Sequence, residues 1–228
     1  MVTAKLLLKI YDNRERALHS AKILLDNELK ELDASAQVHI CEDNWLATDI
    51  TGEDSEFACN FLISKYGTPV KNIKNDKIYY GFIQQIKGNE IVVDIGVYVS
   101  VPQKNLTVLG SGNSEQIAMR FGLIKNLPVR IEIKEEIEKI AAFTKEQIDT
   151  WWKWKKSGQD RVIANSVTRS ELKTAVKRTG HARDIYGIER LGLMEHMIIC
   201  RDGTDGPGIV SAIGKFIKGD LGVIISTS

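Results

Sequence analysis

The chain has 228 residues, 43% of them hydrophobic and 27% charged, and its formal net charge is +1. These values predict two or three small domains with packed cores, and any affinity for nucleic acid must come from local basic patches. Cys41, Cys59 and Cys200 lie too far apart to suggest a zinc motif or a disulfide framework. No apolar run approaches the roughly 20 residues that span a membrane, so we expect a cytoplasmic protein without a membrane partner.

Residues 1–70 predict an α+β module of order βαββα, with strands near 5–11, 37–41 and 45–50. Asp12 and Glu15 have the spacing of a capping box, which would start the first helix. Gly67 is placed to end the second helix.

Residues 71–145 predict a small β-barrel. Ile91, Val93 and Ile95 alternate with other residues, and a Gly88-Asn89 step separates this run from the preceding strand. A short helix is expected from Asn113 or Ser114. Five-stranded barrels of the oligonucleotide-binding type commonly bind nucleic acid. This segment therefore favours an RNA-binding function.

Residues 146–228 predict a domain of order βαββαβ, which is the ferredoxin-like order. A capping-box spacing at Thr144 and Gln147 opens a helix at the start of this domain, before its first strand. A second capping box, Thr168 with Glu171, opens the first helix of the βαββαβ unit, and Gly180 ends that helix.

The middle segment resembles the S1-type RNA-binding barrels. The shared residues are Gly81, the run Val92-Val93-Asp94-Ile95-Gly96, the pair Val101-Pro102, and Leu106. The chain departs from that family at Lys87-Gly88-Asn89, where the family carries an aromatic residue and a glycine. The resemblance implies a barrel that binds RNA.

Over nearly its full length the chain resembles an uncharacterised archaeal protein family, domain of unknown function 2110. The residues that carry this resemblance are His181-x-Arg183-Asp184, Ile188-Glu189-Arg190-Leu191-Gly192 and Gly203-Thr204-Asp205-x-Pro207-Gly208. It implies an archaeal source and no particular activity.

A basic stretch lies between residues 151 and 183, where Asp160 and Glu171 are the only acidic residues. The residues in it that we expect to contact RNA are Lys153, Lys155, Lys156, Arg169, Lys173, Lys177, Arg178 and Arg183. Such a stretch can follow a phosphate backbone. The alternative interpretation is a solvated helix face.

The ferredoxin-like order would bring the end of its first helix close to the start of its second. A phosphate could then bind the N–H groups of Gly206 and Gly208. The side chains expected beside it are Arg178, His181, Arg183 and Arg201. In the alternative, Asp205 simply caps the helix.

Five aromatic residues are candidates for stacking on RNA bases. They are Tyr79, Tyr80, Phe82, Tyr98 and Trp154. Core packing is the alternative for each residue on a barrel strand. Trp151 and Trp152 share a helix face with Ile148, and we expect them to pack between the barrel and the last domain.

No catalytic motif, metal-binding spacing or cofactor signature is present in the sequence. The leading hypothesis is a non-enzymatic protein whose partner is RNA or a ribonucleoprotein such as the ribosome. One alternative is a small-molecule sensor that uses the turn at Asp205, Pro207 and Gly208. A further alternative is an RNA-processing enzyme centred on His181, Asp184 and Asp202. The oligomeric state is left open.

Overall fold

The computed structural model describes residues 1–227, and the chain divides into two compact units, Met1–Lys71 and Asn72–Ser228. Both units combine helices with β-sheets, and the second contains a closed five-stranded barrel. The predicted mixed α+β class and the predicted barrel are therefore confirmed. Among residues 1–227, no helix is long and apolar enough to cross a membrane.

The first unit is a three-stranded antiparallel sheet of order β1-β3-β2 with two helices. Its elements are β1 (Val2–Lys9), α1 (Arg14–Leu29), β2 (Ser35–Ile40), β3 (Trp45–Thr51) and α2 (Ser55–Tyr66). The predicted order βαββα is confirmed, and Gly67 ends α2 with a φ of 73°. The predicted capping box of Asp12 and Glu15 is wrong. Asn13 precedes α1 in the left-handed conformation and makes no side-chain cap.

The barrel closes in the strand order β4-β5-β6-β8-β7. Its elements are β4 (Ile78–Lys87), β5 (Glu90–Asp94), β6 (Tyr98–Pro102), α3 (Ser114–Arg120), β7 (Pro128–Glu135) and β8 (Ile140–Phe143). β6 and β8 pair in parallel, and the other neighbours are antiparallel. Ile91, Val93 and Ile95 are at most 1% exposed, as their alternation predicts. Gly81 lets two strands approach, because a Cβ there would lie 2.5 Å from the Asp94 carbonyl oxygen.

Helix α4 (Lys145–Lys155) packs against the barrel. Its Trp151 is 1% exposed and makes an edge-to-face contact with Phe143, with 4.8 Å between ring centroids. Trp152 makes a similar contact with Phe121, at 5.1 Å. The sequence places this helix at the start of the third domain, whereas its tryptophans bind it to the barrel.

The last part of the second unit is a four-stranded antiparallel sheet of order β10-β11-β9-β12. Its elements are β9 (Arg161–Ala164), α5 (Arg169–Arg178), β10 (Ile185–Arg190), β11 (His196–Cys200), α6 (Gly206–Ile213) and β12 (Leu221–Ile224). The predicted order of elements is confirmed. Residues of α5 and α6 form one core with one face of this sheet.

The other face of the last sheet lies toward the barrel. Ile163 and Ile224 point away from the α5–α6 core and are fully buried. β12 approaches the turn after α3 closely, because a Cβ on Gly222 would lie 2.6 Å from the carbonyl oxygen of Gly122. The sheet therefore lies between a helical layer and the barrel.

Candidate nucleic-acid interface

Helix α5 presents a basic outer face. Thr168 and Glu171 form the predicted capping box, while Leu172, Ala175 and Val176 are buried against the sheet. The spacing of these apolar residues turns Lys173, Lys177 and Arg178 outward, where all three are exposed. Within residues 1–227 none of the three forms an ion pair, so their charges remain available to an anionic partner.

An aromatic residue extends this basic face beyond α5. The Arg178 guanidinium lies 4.7 Å from the ring centroid of Phe216, which is 45% exposed. Lys215 and Lys218 flank Phe216 and are exposed too. We call Lys173, Lys177, Arg178, Lys215, Phe216 and Lys218 the basic helical surface. Lys215, Phe216 and Lys218 carry no recognised RNA-binding motif, and the signal that points to them is a phenylalanine between two lysines.

The acidic side chains of this helical layer already accept hydrogen bonds from other residues of the chain. Between residues 168–180 and 206–220 the acidic residues are Glu171 and Asp220. Glu171 accepts hydrogen bonds from the backbone N–H and the hydroxyl of Thr168. Asp220 accepts a hydrogen bond from the Asn165 side-chain amide. The layer therefore carries an excess of unpaired positive charge.

Other members of the predicted basic stretch lie elsewhere. Lys155 is 9% exposed and donates a hydrogen bond to the Ile225 carbonyl oxygen at 2.9 Å, and this corrects its assignment to an RNA contact. Burial lowers the pKa of its ammonium group, and nearby Arg120 lowers it further. Lys153 is exposed on α4 and Lys156 is exposed just after it, and the Lys156 ammonium lies 5.2 Å from the Trp152 ring centroid. The basic stretch is thus divided between two different layers.

The predicted anion site at the start of α6 is already filled by carboxylates. The Gly206 N–H donates to Asp160 Oδ2, and the Gly208 N–H donates to Asp205 Oδ2, each at 2.9 Å. A phosphate would have to displace two negative groups, so the anion site is wrong in this arrangement. The capping role of Asp205 is confirmed. The same finding leaves neither amide free for a small ligand at the turn.

The two loops expected to meet do meet. The Arg201 N–H donates to the Asp184 carbonyl oxygen at 2.8 Å, and His181 Nδ1 lies 2.7 Å from Asp184 Oδ2. Arg183 is exposed in the same turn, and the Arg201 guanidinium lies 5.0 Å from the Tyr186 ring centroid. The two loops thus contribute one arginine each, Arg183 and Arg201, close to Asp184.

The residues of the proposed processing site are only partly brought together. His181 and Asp184 form a pair, while Asp202 Oδ1 accepts a hydrogen bond from Gln159 Nε2 at 3.1 Å. Among residues 1–227, no group of three histidine, cysteine, aspartate or glutamate residues is placed to hold a metal ion. Cys200 is fully buried, and burial raises the pKa of its thiol to about 11, so a reactive thiolate is disfavoured there.

The barrel aromatics have different exposures. Tyr80 and Tyr98 are 55% and 58% exposed on β4 and β6. Phe82 is only 6% exposed, which corrects its assignment to stacking. Tyr79 is half-buried, and its hydroxyl oxygen accepts a hydrogen bond from the Lys74 N–H at 3.1 Å. Tyr80 and Tyr98 are thus the barrel-strand aromatics that keep accessible rings.

One accessible tyrosine lies in a cleft between the barrel and α4. The cleft has a volume of about 290 Å³. Its lining includes Tyr80, Arg130, Gln147, Trp154 and Leu191. The Arg130 guanidinium lies 4.8 Å from the Tyr80 ring centroid. We call this site the barrel cleft.

Comparison with known families divides the whole chain into three matched segments. The DUF2110 N-terminal domain matches residues 2–72, the DUF2110 central domain matches residues 73–155, and the DUF2110 C-terminal domain matches residues 159–225. The central segment includes helix α4 together with the barrel. A comparison with curated proteins gives no match.

Proposed function

We propose that this chain, which belongs to the DUF2110 family along nearly its whole length, is a non-enzymatic RNA-binding protein. The observation that carries the proposal is the basic helical surface. Lys173, Lys177 and Arg178 lie on one exposed helix face, and Lys215 and Lys218 continue it around an exposed Phe216. Cations of this kind neutralise backbone phosphates, while an exposed ring can stack on a base.

The topology of the second unit supports the same proposal. We assign the barrel to the oligonucleotide-binding type, of which S1 barrels are one form. The supporting features are the five-strand closure, the parallel pairing of β6 with β8, and the position of α3 between the third and fourth strands. We assign the last sheet and its two helices to the ferredoxin-like arrangement on their order βαββαβ.

The mechanism that follows is phosphate contact with weak sequence preference. Lysine ammonium groups contact phosphates as point charges, and phosphate contacts carry no direct sequence information. Ribosomal RNA, transfer RNA or a ribonucleoprotein particle would suit this mode. A cytoplasmic location goes with such a partner.

The test is the salt dependence of RNA binding by the full chain. Replacing Lys173, Lys177 and Lys215 by glutamine should reduce the slope of log affinity against log salt by about 2 for a single-stranded RNA, because each lost phosphate contact removes roughly 0.7. Affinity at fixed moderate salt should fall at least about tenfold.

A matched control changes three exposed lysines elsewhere in the chain, Lys30, Lys71 and Lys77, to glutamine. It makes the same change in net charge and should keep the parent slope. Equal slopes for both variants and the parent would remove the basic helical surface from the interface. Equal losses in both variants would mean that only total charge matters.

A further inference from the structure

The barrel cleft has a volume that suits a small ligand such as one ring system. At about 290 Å³ it lies just below the roughly 300–1,000 Å³ typical of small-molecule pockets. Its barrel wall is formed by β4 and β7, and its other walls by α4 and Leu191. It therefore lies away from β5 and β6, the second and third strands, whose face binds oligonucleotides in barrels of the proposed type.

The barrel wall of the cleft carries an aromatic ring and a guanidinium group side by side on neighbouring strands. Tyr80 and Arg130 are directly opposite one another on paired strands, and their guanidinium-to-ring distance is 4.8 Å. Guanidinium groups and aromatic rings both stack on nucleobases. Trp154 contributes a second, partly exposed aromatic side chain, and the buried Trp151 also lines the cleft. This combination favours a planar aromatic ligand.

The polar groups of the cleft suit the edge of a base better than a phosphate or a hydrocarbon. Gln147 Oε1 accepts a hydrogen bond from the backbone N–H of Arg130 at 3.2 Å, which holds the Gln147 amide group at the cleft. The Thr150 hydroxyl donates to the Glu146 carbonyl oxygen at 2.7 Å, so its own oxygen remains an acceptor. Among the lining residues, the Glu146 carboxylate balances the charge of Arg130. The Glu146 carboxylate would repel a phosphate. An apolar side chain would leave the polar groups of the cleft without hydrogen-bond partners.

We propose that the barrel cleft binds one unpaired nucleobase, stacked beside Tyr80, Arg130 and Trp154, with hydrogen bonds from its edge to Gln147, Thr150 and Glu146. A base with exocyclic amino or ring N–H groups fits the acceptors Thr150 and Glu146. This inference rests on the proposed function when the base belongs to an RNA strand. A free nucleoside has the same recognition chemistry.

The test compares Tyr80→Ala with Phe57→Ala and Tyr80→Phe in the full chain. Phe57 is a similarly exposed aromatic residue, but it lies on α2 in the first unit and outside the cleft. For a short single-stranded RNA, Tyr80→Ala should weaken binding roughly 5- to 150-fold, the usual loss for one base–aromatic stack. Tyr80→Phe and Phe57→Ala should bind as the parent does. The slope of affinity against salt should not change in Tyr80→Ala, because no phosphate contact is lost.

Two results separate this inference from the proposed function. If the parent binds RNA and Tyr80→Ala binds it equally well, the base site is overturned while RNA binding stands. If the parent binds no RNA, the proposed function fails. Titration with guanosine and adenosine, followed by NMR, then tests whether the cleft binds a nucleobase. Nucleoside binding that Tyr80→Ala abolishes would then keep the site, whereas no nucleoside binding would overturn it. Unchanged melting temperatures of the variants would show that folding is not the cause.

Discussion

The Arg169 side chain covers the free edge of strand β10 by hydrogen bonding to the carbonyl oxygen of Ile188. Its Nε and Nη2 atoms lie 3.3 Å and 3.2 Å from that oxygen. β10 is the outer strand of its sheet, and an uncovered edge can pair with another chain. Arg169 therefore has a role in the fold that separates it from Lys173 and Lys177 on the same helix.

Replacing Arg169 by glutamine should lower the free energy of unfolding by about 0.5–1.5 kcal/mol, the net contribution of a typical hydrogen bond. It should also increase self-association, because the edge of β10 becomes accessible. Urea unfolding and sedimentation velocity measure the two effects. Lys173→Gln is the control on the same helix, and equal behaviour of the two variants would contradict the edge-covering role.

Close packing between the last sheet and the barrel predicts an intolerant glycine. Gly222→Ala places a Cβ 2.6 Å from the Gly122 carbonyl oxygen, so the backbone must move. We expect a loss of about 1–3 kcal/mol in the free energy of unfolding. Gly187→Ala is the matched control, since its Cβ would meet nothing within 4 Å in the same sheet. A Gly222→Ala variant as stable as this control would contradict the close approach.

Asp160 joins two distant parts of the second unit. Its Oδ2 accepts from the Gly206 N–H at 2.9 Å, and its Oδ1 accepts from the Ser226 N–H at 2.7 Å. Asp160→Asn replaces one acceptor by a donor that faces an N–H group, and should cost about 1–3 kcal/mol of stability. Thermal unfolding of Asp160→Asn and Asp202→Asn checks this, because Asp202 is exposed and makes one side-chain contact. Equal melting temperatures for these two variants would count against the joining role.

The pH dependence of stability should report His196. This side chain is fully buried, and burial together with nearby Arg190 and Arg169 lowers its pKa to about 4 against the opposing effect of the backbone at Val167 and Met194. The unfolded chain titrates near the ordinary value of about 6.5 and so binds more protons between pH 6.5 and 4. Stability should fall by at most about 3 kcal/mol as the pH is lowered through that window, with no further effect of this group below pH 4.

Urea unfolding at several pH values measures this effect. His196→Leu should flatten the dependence between pH 6.5 and 4, whereas His19→Gln, which changes an exposed histidine, should leave it as in the parent. A parent-like pH dependence in His196→Leu would show that other groups cause it.

Local signals predicted the parts of this fold that are decided within a few residues. The helix starts at Asn113, Thr168 and Asp205 depend on side chains that reach only three residues ahead, and all three are found. The alternation of Ile91 and Val93 likewise fixes which side of β5 faces the barrel interior. The failure at Asp12 has a local cause as well, because the left-handed conformation of Asn13 starts α1 one residue later.

Long-range contacts account for the errors in the candidate site. In the sequence Lys155 is one more residue of a basic stretch, but its ammonium group donates a hydrogen bond to the carbonyl oxygen of Ile225, 70 residues away. The sequence predicts a free backbone N–H at Gly206, but that group donates a hydrogen bond to the carboxylate of Asp160, 46 residues away. The cleft beside Tyr80 depends on the docking of α4 against the barrel, which no spacing in the sequence reveals.

The contact between Gly122 and Gly222 has a consequence for the way the second unit opens. Two backbones packed this closely leave no room for a side chain between them. We therefore expect β12 and the turn after α3 to separate from their neighbours together. Cooperative opening units in proteins often include elements joined in this way. Amide hydrogens of β12 and of the barrel strands should therefore exchange with solvent in one common step, and the barrel and the last sheet would behave as a single foldon although they are distinct in topology.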